Sequence, residues 1–123
     1  MSQPAGLRVL LVDDDASVRR VLGRFLTGQG CLVSEAADGG AALAALTTGE
    51  FDVIVSDISM PVLTGDALWY HARFVRPDLE RRWIFVTSGP LPPLLTAAQQ
   101  PRLAKPLELD ALWQAVCARV PPP

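Results

Sequence analysis

Short apolar runs of strand length alternate with stretches of helical period along the whole chain, and that alternation leaves few folds open. Strand-helix repeats bury their apolar faces best as a parallel sheet covered by helices on both sides. Five strands and up to five helices are expected, giving an α/β fold. Leu7 to Val12 reads as the first strand. The helix from about Ala16 to Thr27 places Val18, Val21, Leu22, Phe25 and Leu26 on the i, i+3, i+4, i+7 stripe of a core-facing helix, and Gly28 and Gly30 stop it. Cys31 to Ala36 is a short strand. Asp38 can cap a helix carrying Ala41, Ala42, Leu43, Ala45 and Leu46, closed by Gly49, and the strand Phe51 to Asp57 follows.

The run Met60-Pro61-Val62-Leu63-Thr64-Gly65 joins a rigid proline to a glycine able to take positive φ, so it reads as a tight loop. The helix after it should bury Leu68, Ala72 and Val75 and stop before Pro77. Trp83 to Val86 is the fourth strand. Gly89 to Pro93 must be extended or turned, which leaves only Leu94 to Gln100 for a fourth helix, short or missing. A last short strand precedes Lys105-Pro106. The final helix, about Leu109 to Val120, shows Leu109, Leu112, Trp113, Val116 and Val120 on one face, with Glu108 and Asp110 near its positive N-terminus. Pro121 to Pro123 should be a frayed end.

A length of 123 residues fits a single domain, residues 1–123, and 50% hydrophobic residues suffice for a real core. The net charge of −2, with scattered lysines and arginines, offers no basic field for direct nucleic-acid binding. Cys31 and Cys117 match no metal-ligand spacing and read as buried thiols of a reducing cytoplasm. The N-terminus lacks a signal peptide's apolar stretch, and no segment approaches the ~18 apolar residues of a membrane span. A soluble cytoplasmic protein with no membrane contact is expected.

The chemistry gathers at strand ends. The first strand runs into Asp13-Asp14-Asp15, the third finishes on Asp57, the fourth on Thr87-Ser88 and the last on Lys105-Pro106. In an open parallel sheet, ligands bind outside the carboxyl ends of the strands. Several carboxylates brought together there cannot all stay ionised without a positive partner, and a divalent cation is the obvious one. Taken singly, each residue has an ordinary explanation: Asp15 as a helix cap, Asp13 or Asp14 as a solvated turn residue, Asp57 as a turn carboxylate, Thr87 as a strand former, Lys105 as a surface charge. Four strand-helix boundaries supplying complementary groups to one rim outweigh those separate readings. Carboxylates, hydroxyl and lysine together suit phosphoryl chemistry.

Val12-Asp13-Asp14, Asp57 followed by Met60-Pro61 and Gly65, Thr87 at its strand end, and Lys105-Pro106 resemble, in that order, the receiver domains of two-component response regulators. The resemblance spans nearly the whole chain. It implies a flavodoxin-like three-layer sandwich with strand order 2-1-3-4-5. It also implies that Asp57 is the phosphoryl acceptor and that Mg²⁺, with Mn²⁺ able to replace it, is held by Asp14, Asp57 and the backbone carbonyl of Ser59, and by Asp13 chiefly through water. Mg²⁺ suits such a site because it prefers octahedral oxygen ligands at about 2.1 Å. Thr87 and Lys105 would each take a phosphoryl oxygen, Lys105-Pro106 would be cis, and the donor would be a histidine kinase or histidine phosphotransfer protein. His71, the only histidine, reads as an exposed helix residue.

Two features depart from the family. Arg102 stands where receivers commonly carry an aromatic residue three places before the lysine, and the run from Thr87 to Lys105 is shorter than usual by roughly one helical turn. Arg102 is therefore expected at the surface, its guanidinium in water or paired with an acid. Phosphorylation should then act mainly on the loops after Asp57 and Thr87, in a monomer, with an output partner the residues do not name. The chain could be free-standing or part of a longer protein such as a hybrid kinase. A metal-dependent phosphohydrolase with an aspartyl-phosphate intermediate usually carries a second Asp two places after the nucleophile, where this chain has Ser59. A phosphorylation-independent binding module on the same fold is the other reading; the intact acidic pair, Asp57, Thr87 and Lys105 weigh against it.

Overall fold

The computed structural model describes residues 6–120, so the end expected to fray at Pro121–Pro123 lies outside the described residues. The elements are β1 (Arg8–Val12), α1 (Ala16–Gly28), β2 (Leu32–Ala36), α2 (Gly39–Thr48), β3 (Val53–Asp57), α3 (Gly65–Val75), a 3₁₀ turn at Pro77–Leu79, β4 (Trp83–Thr87), α4 (Pro93–Ala97), β5 (Arg102–Ala104) and α5 (Leu109–Arg119). The strands pair in parallel in the order β2-β1-β3-β4-β5, the flavodoxin-like order 2-1-3-4-5. Among the described residues, no helix is long and apolar enough to cross a membrane.

Side chains alternate across each strand, and here both faces are apolar. Val9, Leu11, Val53, Val55, Ile84 and Val86 pack with Leu22 and Leu26 of α1 and Leu112, Trp113 and Val116 of α5. Leu10, Val12, Ile54, Trp83 and Phe85 pack on the other face with Leu46, Leu68, Trp69 and Leu95 from α2, α3 and α4. Each fully buried aliphatic side chain contributes about 1.5–3 kcal/mol relative to exposure. Local chemistry sets the helix starts. Asp15 accepts the N–H groups of Ser17 and Val18, and Asp38 accepts that of Ala41, which satisfies donors the first helical turn cannot pair internally. At the far end of α2, Arg76 donates to the carbonyls of Leu46 and Gly49.

Several side chains sit differently from their expected places. Val21 and Val75 are exposed, at 56% and 42%. In α3 the buried role falls to Trp69, whose indole N–H finds the Glu80 carbonyl at 3.1 Å. A large aromatic whose one polar atom has a partner is well suited to that position. Cys31 is buried just before β2 and Cys117 is only half-buried; burial raises the pKa of both thiols. The fourth helix is a single short piece that already begins at Pro93, where a missing N–H costs nothing.

The glycine expected to take positive φ in the β3–α3 loop does not do so. Gly65 is the first residue of α3, and the left-handed residue is Val62, at φ 69°. A β-branched side chain in that region is sterically strained, and Val62 is fully exposed, so no packing repays it. Val62→Gly should therefore raise stability by about 1 kcal/mol, the relief of strain exceeding the extra chain entropy of glycine. A urea midpoint that stays put or falls would show that the loop relaxes around the valine.

Candidate functional site

Parallel register brings the strand ends to one rim. Val12 lies opposite Ser56, Asp57 opposite Val86, and Thr87 opposite Ala104. Asp13, Asp57, Thr87 and Lys105 therefore leave the sheet side by side. Asp13, Asp14 and Asp57 each present a carboxylate oxygen, all within 4.8 Å of one another. Asp13 and Asp57 are 7% and 4% exposed, while Asp14 faces solvent. Lys105 Nζ lies 3.0 Å from Asp57 Oδ1, which also accepts the Ser59 N–H at 3.3 Å. The Lys105-Pro106 peptide is cis, as expected.

Three carboxylates this close need compensation. Burial pushes the Asp13 carboxyl above the usual carboxylate range; the N–H of Asp15 pulls it back, the Asp57 charge raises it again, Lys105 lowers it and Asp14 raises it. The ammonium of Lys105 answers only part of this negative charge. An oxygen-only donor set of partly buried carboxylates, short of positive charge, fits a hard divalent cation.

The residues around these groups hold them in place. Asp13 accepts the Asp15 N–H at 2.9 Å, so the residue that caps α1 also fixes the acidic turn. Arg19, one turn into α1, donates to the Asp13 carbonyl at 2.6 Å and pairs with Glu35 of β2 at 3.1 Å. Sequence reading passed over Arg19, although its place on the helix following the acidic run was a usable signal. Ser56 donates to the Asp57 carbonyl at 2.9 Å. Gly65 lies against that same carbonyl, where a Cβ would collide with the backbone oxygen of Asp57, and its N–H bonds the Ile58 carbonyl at 2.9 Å.

Thr87 is 6% exposed, and its hydroxyl accepts the Gly89 N–H at 3.2 Å. Arg102 is exposed as expected, but among the described residues its guanidinium pairs with no acid: it donates to the backbone carbonyl of Gly89 at 2.7 Å. The reason is proximity, since β5 runs beside the chain that leaves β4. His71 is exposed, edge-on to Tyr70, and forms no part of the rim. Beside the rim an apolar groove of about 560 Å³ opens between α1 and the start of α5, lined by Val18, Val21, Leu22, Leu107 and Leu109 and reaching Asp57 and Lys105.

Comparison with known proteins agrees with this architecture. The response regulator receiver domain family matches residues 9–116. The chain is 35% identical over 117 residues to the transcriptional regulatory protein GlrR of Escherichia coli K12, covering 93% of this chain and 26% of that protein. It is 41% identical over 82 residues to the sensor kinase CckA of Brucella abortus, covering 65% of this chain and 8% of that protein. The chain thus spans about a quarter or less of the length of these relatives. The structure of the chemotaxis protein CheY4 of Vibrio cholerae superposes with a TM-score of 0.84 at 32% identity, over 95% of this chain and all of that one. With its strand order, acidic rim and family match in agreement, the chain belongs to the response regulator receiver domains of two-component signalling.

Proposed function

We propose that Asp57 accepts a phosphoryl group from the phosphohistidine of a histidine kinase or histidine phosphotransfer protein. The observation that carries this is the meeting of Lys105 Nζ, 3.0 Å from Asp57 Oδ1, with the carboxylates of Asp13 and Asp14 on the same rim. As the Asp57 oxygen bonds phosphorus, the P–N bond to the donor imidazole breaks and the electron pair leaves with the ring. A carboxylate is a weak nucleophile, so placement and neutralisation of the phosphoryl oxygens do most of the work. Lys105 would pair with one oxygen and the Thr87 hydroxyl would donate to another.

Asp14, Asp57 and the Ser59 carbonyl would hold Mg²⁺, or Mn²⁺ in its place, with Asp13 acting through water; when bound, the cation neutralises charge on the acceptor and on the phosphoryl oxygens. The groove between α1 and α5 supports a helical donor, because apolar side chains flank the acceptor on the side a helix could occupy. As in the family, this is a signalling domain and not an enzyme acting on a separate substrate. The short α4 and the three-residue edge strand β5 offer a small face for a second copy, which supports a monomer.

Intact mass after incubation with Mg²⁺ and acetyl phosphate tests the reading. One phosphoryl group is expected, labile to hydroxylamine as an acyl phosphate and absent from Asp57→Asn. A hydroxylamine-stable adduct, or one that survives in Asp57→Asn, would move the modification elsewhere.

A further inference from the structure

Arg102 opens β5 and turns its side chain back toward the loop that follows Thr87. Its Nε donates to the Gly89 carbonyl at 2.7 Å, and Nη2 lies 3.5 Å from the Thr87 carbonyl. The Gly89 N–H in turn donates to Thr87 Oγ1 at 3.2 Å. A hydroxyl has one hydrogen to give and two lone pairs to accept with. Gly89 fills one lone pair, so the hydrogen stays available for a group outside the loop.

Downstream the loop is anchored by Leu91, which packs on the core and whose carbonyl accepts the Thr96 hydroxyl at 3.4 Å, but few contacts bear on Gly89 itself. A Cβ built at Gly89 meets no atom within 4 Å, so side packing does not hold the residue. Pro90, Pro92 and Pro93 have no N–H to tie the next residues down. The guanidinium is a planar, permanently charged donor, and a charge-assisted bond to a carbonyl is stronger than a neutral one.

We propose that Arg102 is a positioning residue for Thr87: by holding the Gly89 carbonyl it fixes the turn that orients the Thr87 hydroxyl toward a phosphoryl group on Asp57. The inference rests on the phosphoacceptor reading and adds to it a residue that does not touch the phosphoryl group. Arg102 works through Gly89, and only while the hydroxyl is present.

The test combines Arg102→Met, which keeps the apolar stem and removes the donors, with Arg102→Lys and Thr87→Val. Beryllofluoride, a phosphoryl mimic, is titrated into each protein with Mg²⁺, and amide exchange at Gly89 is followed without the mimic. Arg102→Met should weaken beryllofluoride binding roughly tenfold and speed Gly89 exchange by a similar factor, the loss expected for one charge-assisted hydrogen bond. Arg102→Lys should recover part of both, since an ammonium can reach one carbonyl but lacks the planar fork. In a Thr87→Val background, Arg102→Met should weaken binding no further. Unchanged binding in Arg102→Met, or an equal loss with and without the Thr87 hydroxyl, overturns the proposal. A wild-type protein that ignores beryllofluoride overturns the phosphoacceptor reading and this inference with it. Melting curves check that each variant folds, and if Arg102→Met does not, wild-type exchange and binding in Arg102→Lys would overturn the proposal.

Discussion

Gly65→Ala should lower stability by about 2–3 kcal/mol and slow phosphorylation of Asp57, although the substitution adds one methyl group. The added Cβ would collide with the Asp57 carbonyl oxygen and would stand 3.0 Å from the Cα of Ile58 and 3.1 Å from the carbonyl carbon of Asp57. These are backbone atoms of β3 and its exit, so no side-chain rotation relieves the contact. Either α3 withdraws and gives up the Gly65 N–H bond to Ile58, or the acceptor's backbone moves away from Lys105. For a domain of this size the loss corresponds to roughly 6–15 °C in Tm. Gly28→Ala is the control, because a Cβ there meets nothing within 4 Å and the residue closes α1. A Gly65→Ala protein with wild-type Tm and phosphorylation rate would show that the close approach is not needed.

Millimolar Mg²⁺ should stabilise the domain by about 1.4 kcal/mol when the ion stands near ten times its Kd, a rise of roughly 4–8 °C in Tm. The effect should vanish in Asp14→Ala, which keeps the buried residues of the rim but removes the exposed ligand. The sign of the pH dependence follows from Asp13. Its carboxyl is raised in the folded state by burial first and by the charges of Asp57 and Asp14. Between the ordinary carboxylate value of 3.8 and that raised value, the folded protein binds more protons than the unfolded chain. With the ion chelated, this group's contribution to stability therefore falls as pH rises through that window, and its penalty is fully present once the pH is above the raised value. Asp13→Asn should then melt higher than wild type at about pH 7 without metal, and the advantage should fade on acidification. The gain from Mg²⁺ should also shrink as pH falls, because protons compete for the same oxygens. A Tm indifferent to Mg²⁺, or one raised equally in Asp14→Ala, would count against the cation site.

Much of this protein follows from local chemistry that the sequence displays. Apolar runs such as Trp83 to Val86 and Val53 to Val55 read as strands and are strands buried on both faces, and Asp15 and Asp38 do cap the helices they precede. The rim residues were legible because chemistry at the carboxyl end of a parallel strand has one common place to go. The strand order itself came from family resemblance, since periodicity says which residues face a core but not which strand lies beside which.

The remaining features depend on contacts between distant segments, and only the tertiary structure decided them. Helical periodicity offered Val75 to the core, but α3 meets α2 and the 3₁₀ turn so that Trp69 is buried and Val75 is left at the edge. Gly65 looked like a turn glycine, yet its size matters because the Asp57 carbonyl presses against it, while the strained φ falls on Val62. Arg102 could be placed at the surface from its charge alone. That it holds the Gly89 carbonyl follows from the pairing of β5 with β4, a long-range contact between Arg102 and the turn after Thr87 that no local pattern encodes.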